Sequence, residues 1–85
     1  MLGLSLTEPE DGAQVDGTEV KVAGKTAPGA VVSVDDAVVL ADKQGYFSVV
    51  VDLEESPHTI EVVASDAEGN EVDLTRTVFS TQLGD

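Results

Sequence analysis

The chain has 85 residues and no cysteine, and 17 acidic residues against 4 basic ones give a formal net charge of −13 at pH 7. This length predicts a single domain, residues 1–85, and the lack of Cys excludes disulfides and thiolate metal sites. The negative charge repels the phosphates of nucleic acids and anionic lipid headgroups, so we expect neither as a partner.

Alternation of apolar with polar residues predicts short β-strands along the whole chain, and no segment has a helical period of 3.6 residues. In chain order the predicted strands lie at residues 2–6, 18–24, 30–35, 38–41, 46–53, 58–65 and 70–80. The alternation also predicts which side chains face the core: Val20, Val22, Ala30, Val32, Val34, Phe47, Val49, Val51, Leu53, Ile60, Val62 and Ala64. Valine supplies much of this set, and its branched Cβ suits a pleated strand.

The last strand has an ambiguous pattern. Arg76 falls among its inward apolar residues, whereas Phe79 falls on the opposite face. We expect a β-bulge near Arg76 to resolve this conflict, because a bulge reverses the direction of the side chains that follow it.

Turn signals separate the strands. Six residues are predicted to shape these turns: Pro28, Gly29, Asp42, Gly45, Asp66 and Gly69. The first two fit the centre of a type II turn. In the Asp-x-x-Gly sequences at 42–45 and 66–69, Asp can accept hydrogen bonds from the backbone ahead of it, and Gly adopts positive φ without steric cost. Seven short strands with turns between them predict an all-β sandwich of two antiparallel sheets.

A set of turn and core residues carries a family resemblance through its order and spacing. These residues are Val22, Gly24, Thr26, Pro28, Gly29, Ala30, Val32, Val34, Asp42, Gly45, Phe47, Leu53, Ile60, Val62, Ala64, Asp66, Gly69 and Asn70. Together they resemble the bacterial immunoglobulin-like modules of the glucodextranase domain-B type, over about residues 4–79. The usual pattern has Gly and Asn where this chain has Ser56 and His58.

The resemblance implies a seven-stranded immunoglobulin-like sandwich similar in shape to fibronectin type III domains. Members of this group recur as non-catalytic modules of secreted glycoside hydrolases, adhesins and surface-layer proteins. We therefore expect a spacer or interaction module of a larger extracellular or cell-surface protein. Its expected partners are neighbouring domains of the same polypeptide or a surface protein. Membrane insertion is not expected, since the longest apolar run, residues 37–41, cannot span a bilayer.

The sequence offers no catalytic constellation, so we do not expect an enzyme. His58 is the only histidine, and no nucleophile or substrate-positioning group accompanies it in the sequence. We interpret it as a turn residue at the start of a strand. One His without Cys also cannot provide the usual ligands of zinc.

Two other functions remain open as alternatives. Calcium prefers oxygen ligands, which makes a calcium-dependent adhesion module conceivable, although neither acidic cluster follows the EF-hand pattern and no cofactor is expected. The two clusters are Glu8, Glu10, Asp11 and Asp16, and Asp66, Glu68, Asn70 and Asp73. A carbohydrate-binding accessory domain of a glycoside hydrolase is the other alternative, with Tyr46 as the sole candidate platform for a glycan.

The strand pattern also predicts apolar side chains on the outer faces. These are Val31, Val38, Leu40, Val50 and Val63. They could reflect only the β-propensity of valine, or they could contact an adjacent module or a partner protein.

Overall fold

Valine-rich alternating segments form β-strands throughout the computed structural model, which describes residues 2–82 and has no helix in that range. The eight strands are β1 (Leu4–Glu8), β2 (Ala13–Val15), β3 (Glu19–Thr26), β4 (Val31–Val34), β5 (Ala37–Leu40), β6 (Tyr46–Asp52), β7 (His58–Ser65) and β8 (Glu71–Ser80). This part of the chain therefore contains no helix that could span a membrane. The all-β prediction is confirmed.

The strands form two sheets whose inner faces share one core. The three-stranded sheet has the order β1-β3-β6, and the five-stranded sheet has the order β2-β8-β7-β4-β5. The buried cluster combines side chains of both sheets: Val20, Val22, Val32, Val34, Phe47, Val51, Leu53, Ile60, Val62, Ala64 and Val78. The predicted inner face is confirmed, with Val49 partly rather than fully buried.

The prediction of seven antiparallel strands is wrong, because β2 forms an eighth strand and pairs parallel with β8. Asp11 fixes this pairing, since its Oδ1 accepts the N–H of Thr77 at 2.8 Å. The N–H of Gly12 donates to the Thr77 carbonyl at 2.6 Å, and at the other end of β2 the N–H of Thr81 donates to Val15 at 2.9 Å. The sequence did not predict β2, because a strand of three residues shows too little alternation of apolar and polar side chains. Its partners in β8 also lie more than sixty positions away.

The prediction of a bulge near Arg76 is also wrong. The β7–β8 ladder runs without a shift of register, and Arg76 lies opposite Ile60 on the inner side of the sheet. A long arginine side chain can cover apolar surface with its methylenes while its guanidinium reaches water, so no bulge is needed. Phe79 instead faces outward and is 42% exposed. The irregular register lies in the β1–β3 pair, between Leu6 and Glu8.

The molecule is elongated, with principal extents of 42 × 19 × 18 Å. At one end Thr26, the last residue of β3, donates its hydroxyl to the carbonyl of Gly3. At the other end Ser80, the last residue of β8, donates its hydroxyl to the carbonyl of Gly17, which precedes β3. The first and last described residues therefore lie at opposite ends of the body, and we call these the Gly3 end and the Ser80 end.

Candidate functional site

The turn at residues 42–45 lies at the Gly3 end. The Asp42 carboxylate accepts the backbone N–H groups of Gln44 and Tyr46 through Oδ1, each at 2.9 Å. The N–H of Gly45 donates to the Asp42 carbonyl at 3.0 Å, and φ of Gly45 is 92°. The N–H donors of Tyr46, Gln44 and Gly45, in that order of importance, hold the pKa of Asp42 below its ordinary value, because they stabilise the ionised carboxylate.

The turn at residues 66–69 repeats this arrangement. Asp66 accepts the N–H groups of Glu68 at 3.0 Å and Asn70 at 2.9 Å through Oδ1, and the Asn70 side chain donates to Oδ2 at 3.0 Å. The Asn70 side chain is the main cause that lowers the pKa of Asp66, and the two N–H donors add to it. Gly69 has φ of 90°. Both oxygens of Asp66 therefore hold the turn together.

The type II turn at residues 27–30 also lies at the Gly3 end, directly after Thr26. Gly29 has φ of 77°, and the N–H of Ala30 donates to the Ala27 carbonyl at 3.1 Å across Pro28 and Gly29. The turn leads the chain from the three-stranded sheet into β4 of the five-stranded sheet.

The residues proposed for calcium do not form a common cluster. Asp73 lies in β8 opposite Val63, on the outer face of the five-stranded sheet, whereas Asp66 and Asn70 bond each other within their turn. In the other predicted cluster, the Asp11 carboxylate accepts the N–H of Thr77. Among residues 2–82 no group of three or more Asp, Glu or His side chains is arranged to hold a metal ion.

His58 and Asp35 contact each other at the Ser80 end. Asp35 starts the two-residue hairpin between β4 and β5 and has φ of 52°, which Asp tolerates better than most residues. Its Oδ2 lies 2.9 Å from His58 Nε2, and its Oδ1 accepts the N–H of Glu61 at 3.0 Å. Sequence reasoning treated His58 as an isolated turn residue and missed this contact, because the two residues are 23 positions apart.

This pair lies in a groove with a strongly acidic lining. The acidic residues around His58 are Asp35, Asp36, Asp52, Glu54, Glu55 and Glu61, and the groove contains no Lys or Arg. It also has no Ser, Thr or Cys that His58 could activate as a nucleophile. An imidazole and a carboxylate are present in this groove, but the third member of a nucleophilic site is not.

The outward apolar residues are divided between the two sheets. Val31, Val38 and Leu40 lie on the five-stranded sheet and are 41%, 66% and 68% exposed. Val63 lies on the same face but is partly buried, and Val50 belongs to the three-stranded sheet. The predicted apolar stripe is therefore a smaller surface on β4 and β5.

Tyr46 is half exposed at the start of β6. The Nζ atom of Lys25 lies 5.2 Å from the centroid of its ring, a cation–π arrangement. One face of the glycan platform predicted from the sequence therefore has a lysine over it.

Comparison with known proteins gave one family. A family model described as "Glucodextranase, domain B" matches residues 3–82, almost the whole chain. No curated protein matches the chain.

Proposed function

The chain belongs to the glucodextranase domain B family, and from this we propose that it is a non-catalytic spacer module of a larger exported protein, holding its neighbours apart along its long axis. Its immediate partners are then the domains before and after it in the same polypeptide. The immunoglobulin-like sandwich suits this role because two packed β-sheets form a rigid domain that keeps a fixed distance between the domains attached to it.

The observation that carries this proposal is the position of the first and last described residues. Gly3 is bound by Thr26 at one end of β3, and Ser80 is bound to Gly17 at the other end. The body between them is 42 Å long and 18–19 Å wide. Because the polypeptide enters the domain at one end and leaves it at the other, the neighbouring domains are separated by the length of this domain rather than by its width.

The Ser80 end is also firmly attached to the fold. The last strand, β8, pairs with β7 on one side and β2 on the other. The N–H of Ser80 donates to the Ser56 hydroxyl at 3.0 Å, and Thr81 donates to the Val15 carbonyl. A domain that follows is therefore connected to a strand with many hydrogen bonds. This favours a defined orientation of that domain over a flexible connection.

The acidic groove supports a non-catalytic role. His58 and Asp35 form the one imidazole–carboxylate contact in the described chain, and their groove has no hydroxyl or thiol beside them. Among the lining residues of this groove, His58 therefore has no side-chain nucleophile to activate.

The test compares one copy of the domain with two copies joined directly from residue 82 to residue 2. Small-angle X-ray scattering measures the maximum dimension of each. End-to-end joining adds close to the 42 Å length of one body, whereas side-by-side packing adds close to its 19 Å width. A control with a long Gly/Ser linker between the copies should give a broad distribution of dimensions, because such linkers are flexible. An increment near the width would overturn the spacer proposal.

A carbohydrate-binding module is the second candidate, and the exposure of Tyr46 is the observation that favours it. The test is binding to a glycan array by the wild type and by Tyr46→Ala. Binding that disappears in the variant would replace the spacer proposal. Lys25→Ala is the matched control, since it uncovers the ring and should strengthen any stacking of a sugar on it.

A further inference from the structure

The free edge of β5 has the properties of a binding site for a polypeptide strand. We propose that this edge (Ala37–Leu40) takes up an extended segment of a partner protein, in which apolar residues alternate and basic residues follow. The segment adds to the five-stranded sheet as a sixth, antiparallel strand. The proposal does not rest on the spacer role, since the edge of β5 runs along the side of the body and only the basic residues of the segment reach the acidic groove near the Ser80 end.

The main chain of β5 leaves hydrogen-bonding groups without a strand partner. β5 is the last strand of its sheet, and only β4 pairs with it among the described residues. The N–H of Ala41 donates to the Ala30 carbonyl at 2.9 Å. Bonded and non-bonded pairs alternate along an antiparallel ladder, so every second residue of β5 counted from Ala41 bonds to β4. The residues between them, Val38 and Leu40, direct their N–H and C=O groups to the open edge.

The side chains at the same two positions are apolar and unusually exposed. Val38 and Leu40 are 66% and 68% exposed, the highest values among the large hydrophobic side chains of the described chain. Val31 lies directly opposite Leu40 and extends the apolar surface onto β4. A strand added at this edge would cover these side chains and bond the outward main-chain groups together, which is how strand addition combines affinity with specificity.

The other three sheet edges have features that discourage strand addition. The β1 edge has the irregular register between Leu6 and Glu8, and β2 is only three residues long. The β6 edge has polar Ser48 in its middle and charged Asp52 at its end. Bulges, short edge strands and charges are the usual protections of exposed edges. β5 is also short, at four residues, but it pairs with β4 in regular register, and its sequence Ala-Val-Val-Leu contains no charge, proline or glycine.

Charge determines what kind of strand fits. The acidic groove adjoins the β5 edge at Ala37, and its lining has six carboxylates and no Lys or Arg. An antiparallel strand beside β5 runs from Leu40 towards Ala37, so the residues that follow its apolar part lie over this groove. Lys or Arg at those positions would meet opposite charge. A second copy of this chain is disfavoured, because two molecules of net charge −13 repel each other.

The test uses a synthetic peptide in which Val and Thr alternate and three Lys follow. Its control has the same composition with the Lys residues first. The first peptide should bind more tightly, by about tenfold at low salt, and high salt should reduce the difference because it screens the charges. Amide hydrogen exchange should show new protection at Val38 and Leu40 in the complex. Equal binding of both peptides, or protection elsewhere, would overturn the proposal.

Two variants of equal charge separate the β5 edge from a general electrostatic effect. Val38→Lys adds a positive charge to the proposed edge, and Phe79→Lys adds the same charge on β8, far from β5. Val38→Lys should weaken peptide binding by about tenfold or more, because an edge lysine blocks strand addition, whereas Phe79→Lys should change it less than about twofold. Similar losses in both variants would contradict a site on β5. Sedimentation of the wild type that shows dimers lost in Val38→Lys would assign the edge to a second copy and also overturn it.

Discussion

Gly45 and Gly69 occupy equivalent positions in two turns of the same pattern, with φ of 92° and 90°, but their surroundings differ. A Cβ on Gly45 would overlap the carbonyl oxygen of Thr26, whereas a Cβ on Gly69 would meet no atom within 4 Å. The conformational requirement is therefore shared, and the steric requirement belongs to Gly45 alone. This difference arises from tertiary structure, because Thr26 belongs to a neighbouring strand.

The two glycines should respond unequally to alanine. Gly69→Ala should lower the free energy of unfolding of the domain by about 1 kcal/mol, the usual cost of a residue with Cβ at positive φ. Gly45→Ala should cost clearly more, about 2–4 kcal/mol, because the main chain at Thr26 must also move. Urea unfolding of both variants beside the wild type measures this. Equal losses would show that the contact with Thr26 is relieved without cost.

Asp42 and Asp66 should make folding sensitive to acid. Their pKa values in the folded chain lie below the ordinary 3.8, because hydrogen bonds within the turns stabilise the carboxylates. Well above pH 3.8 both groups are ionised in the folded and unfolded states, and their stabilisation is complete. As pH falls through 3.8 the unfolded state binds protons first, so this stabilisation is progressively lost until the folded groups are protonated too.

The measurement is the melting temperature of the wild type and of the double variant Asp42→Asn, Asp66→Asn as pH is lowered. Asn keeps an acceptor in each turn but does not titrate. The wild type should lose more stability below pH 3.8 than the variant, and the other carboxylates cancel in the comparison. Parallel curves would contradict the pKa shifts, and NMR titration of both carboxyl groups gives an independent value for each.

Strand β7 shows how one element separates the core from the surface. Val62 is fully buried between the sheets, while Val63 faces outward between Ser33 and Asp73 on the neighbouring strands. A shift of one residue would exchange these positions, because side chains alternate with a period of two. The same substitution at both valines therefore tests the register of the whole five-stranded sheet.

Lysine is the most informative replacement. Val62→Lys should unfold the domain or cost about 4 kcal/mol or more, because it places an unpaired ammonium in the core. Val63→Lys should change stability by less than about 1 kcal/mol, since its charge faces Asp73 across the strands. Thermal and urea unfolding measure both variants. Comparable losses would show that the register is wrong.

The whole molecule has one dominant electrostatic property, its net charge of −13 on 8.8 kDa. Like charges on so small a body repel and destabilise the compact state. The melting temperature should therefore rise with NaCl as the Debye length falls from about 10 Å at 0.1 M to about 3 Å at 1 M. Glu71→Gln combined with Asp73→Asn removes two charges from exposed positions of β8 and should reduce this dependence. A melting temperature independent of salt would contradict the repulsion.

Divalent ions distinguish general screening from a calcium site. Asp66 uses both carboxylate oxygens within its own turn, so we expect calcium and magnesium to raise the melting temperature equally at the same ionic strength. A specific site would instead stabilise in proportion to RT ln(1 + [L]/Kd). A rise selective for calcium that disappears in Asp66→Asn, Asp73→Asn would favour the calcium-dependent adhesion module over the spacer.

Features that depend on near neighbours in the chain could be predicted from the amino-acid pattern. The inner faces of β3, β4, β6 and β7 follow from alternation over a few residues, and the all-β class follows from them. The turns at residues 42–45 and 66–69 have their partners within four positions. The spacing of these local features was also sufficient for the resemblance to glucodextranase domain B, which the family match confirms.

Features that join distant parts of the chain could not be predicted from the amino-acid pattern and are seen only in the folded structure. The parallel pairing of β2 with β8, the contact of Asp35 with His58 and the close approach of Thr26 to Gly45 join residues separated by about twenty to more than sixty positions. The opposite placement of the first and last described residues and the free edge of β5 depend on the order of strands in the sheets. Periodicity reports which way a side chain points, but it contains no information about which strand lies beside it, because that choice is made by packing among all strands together.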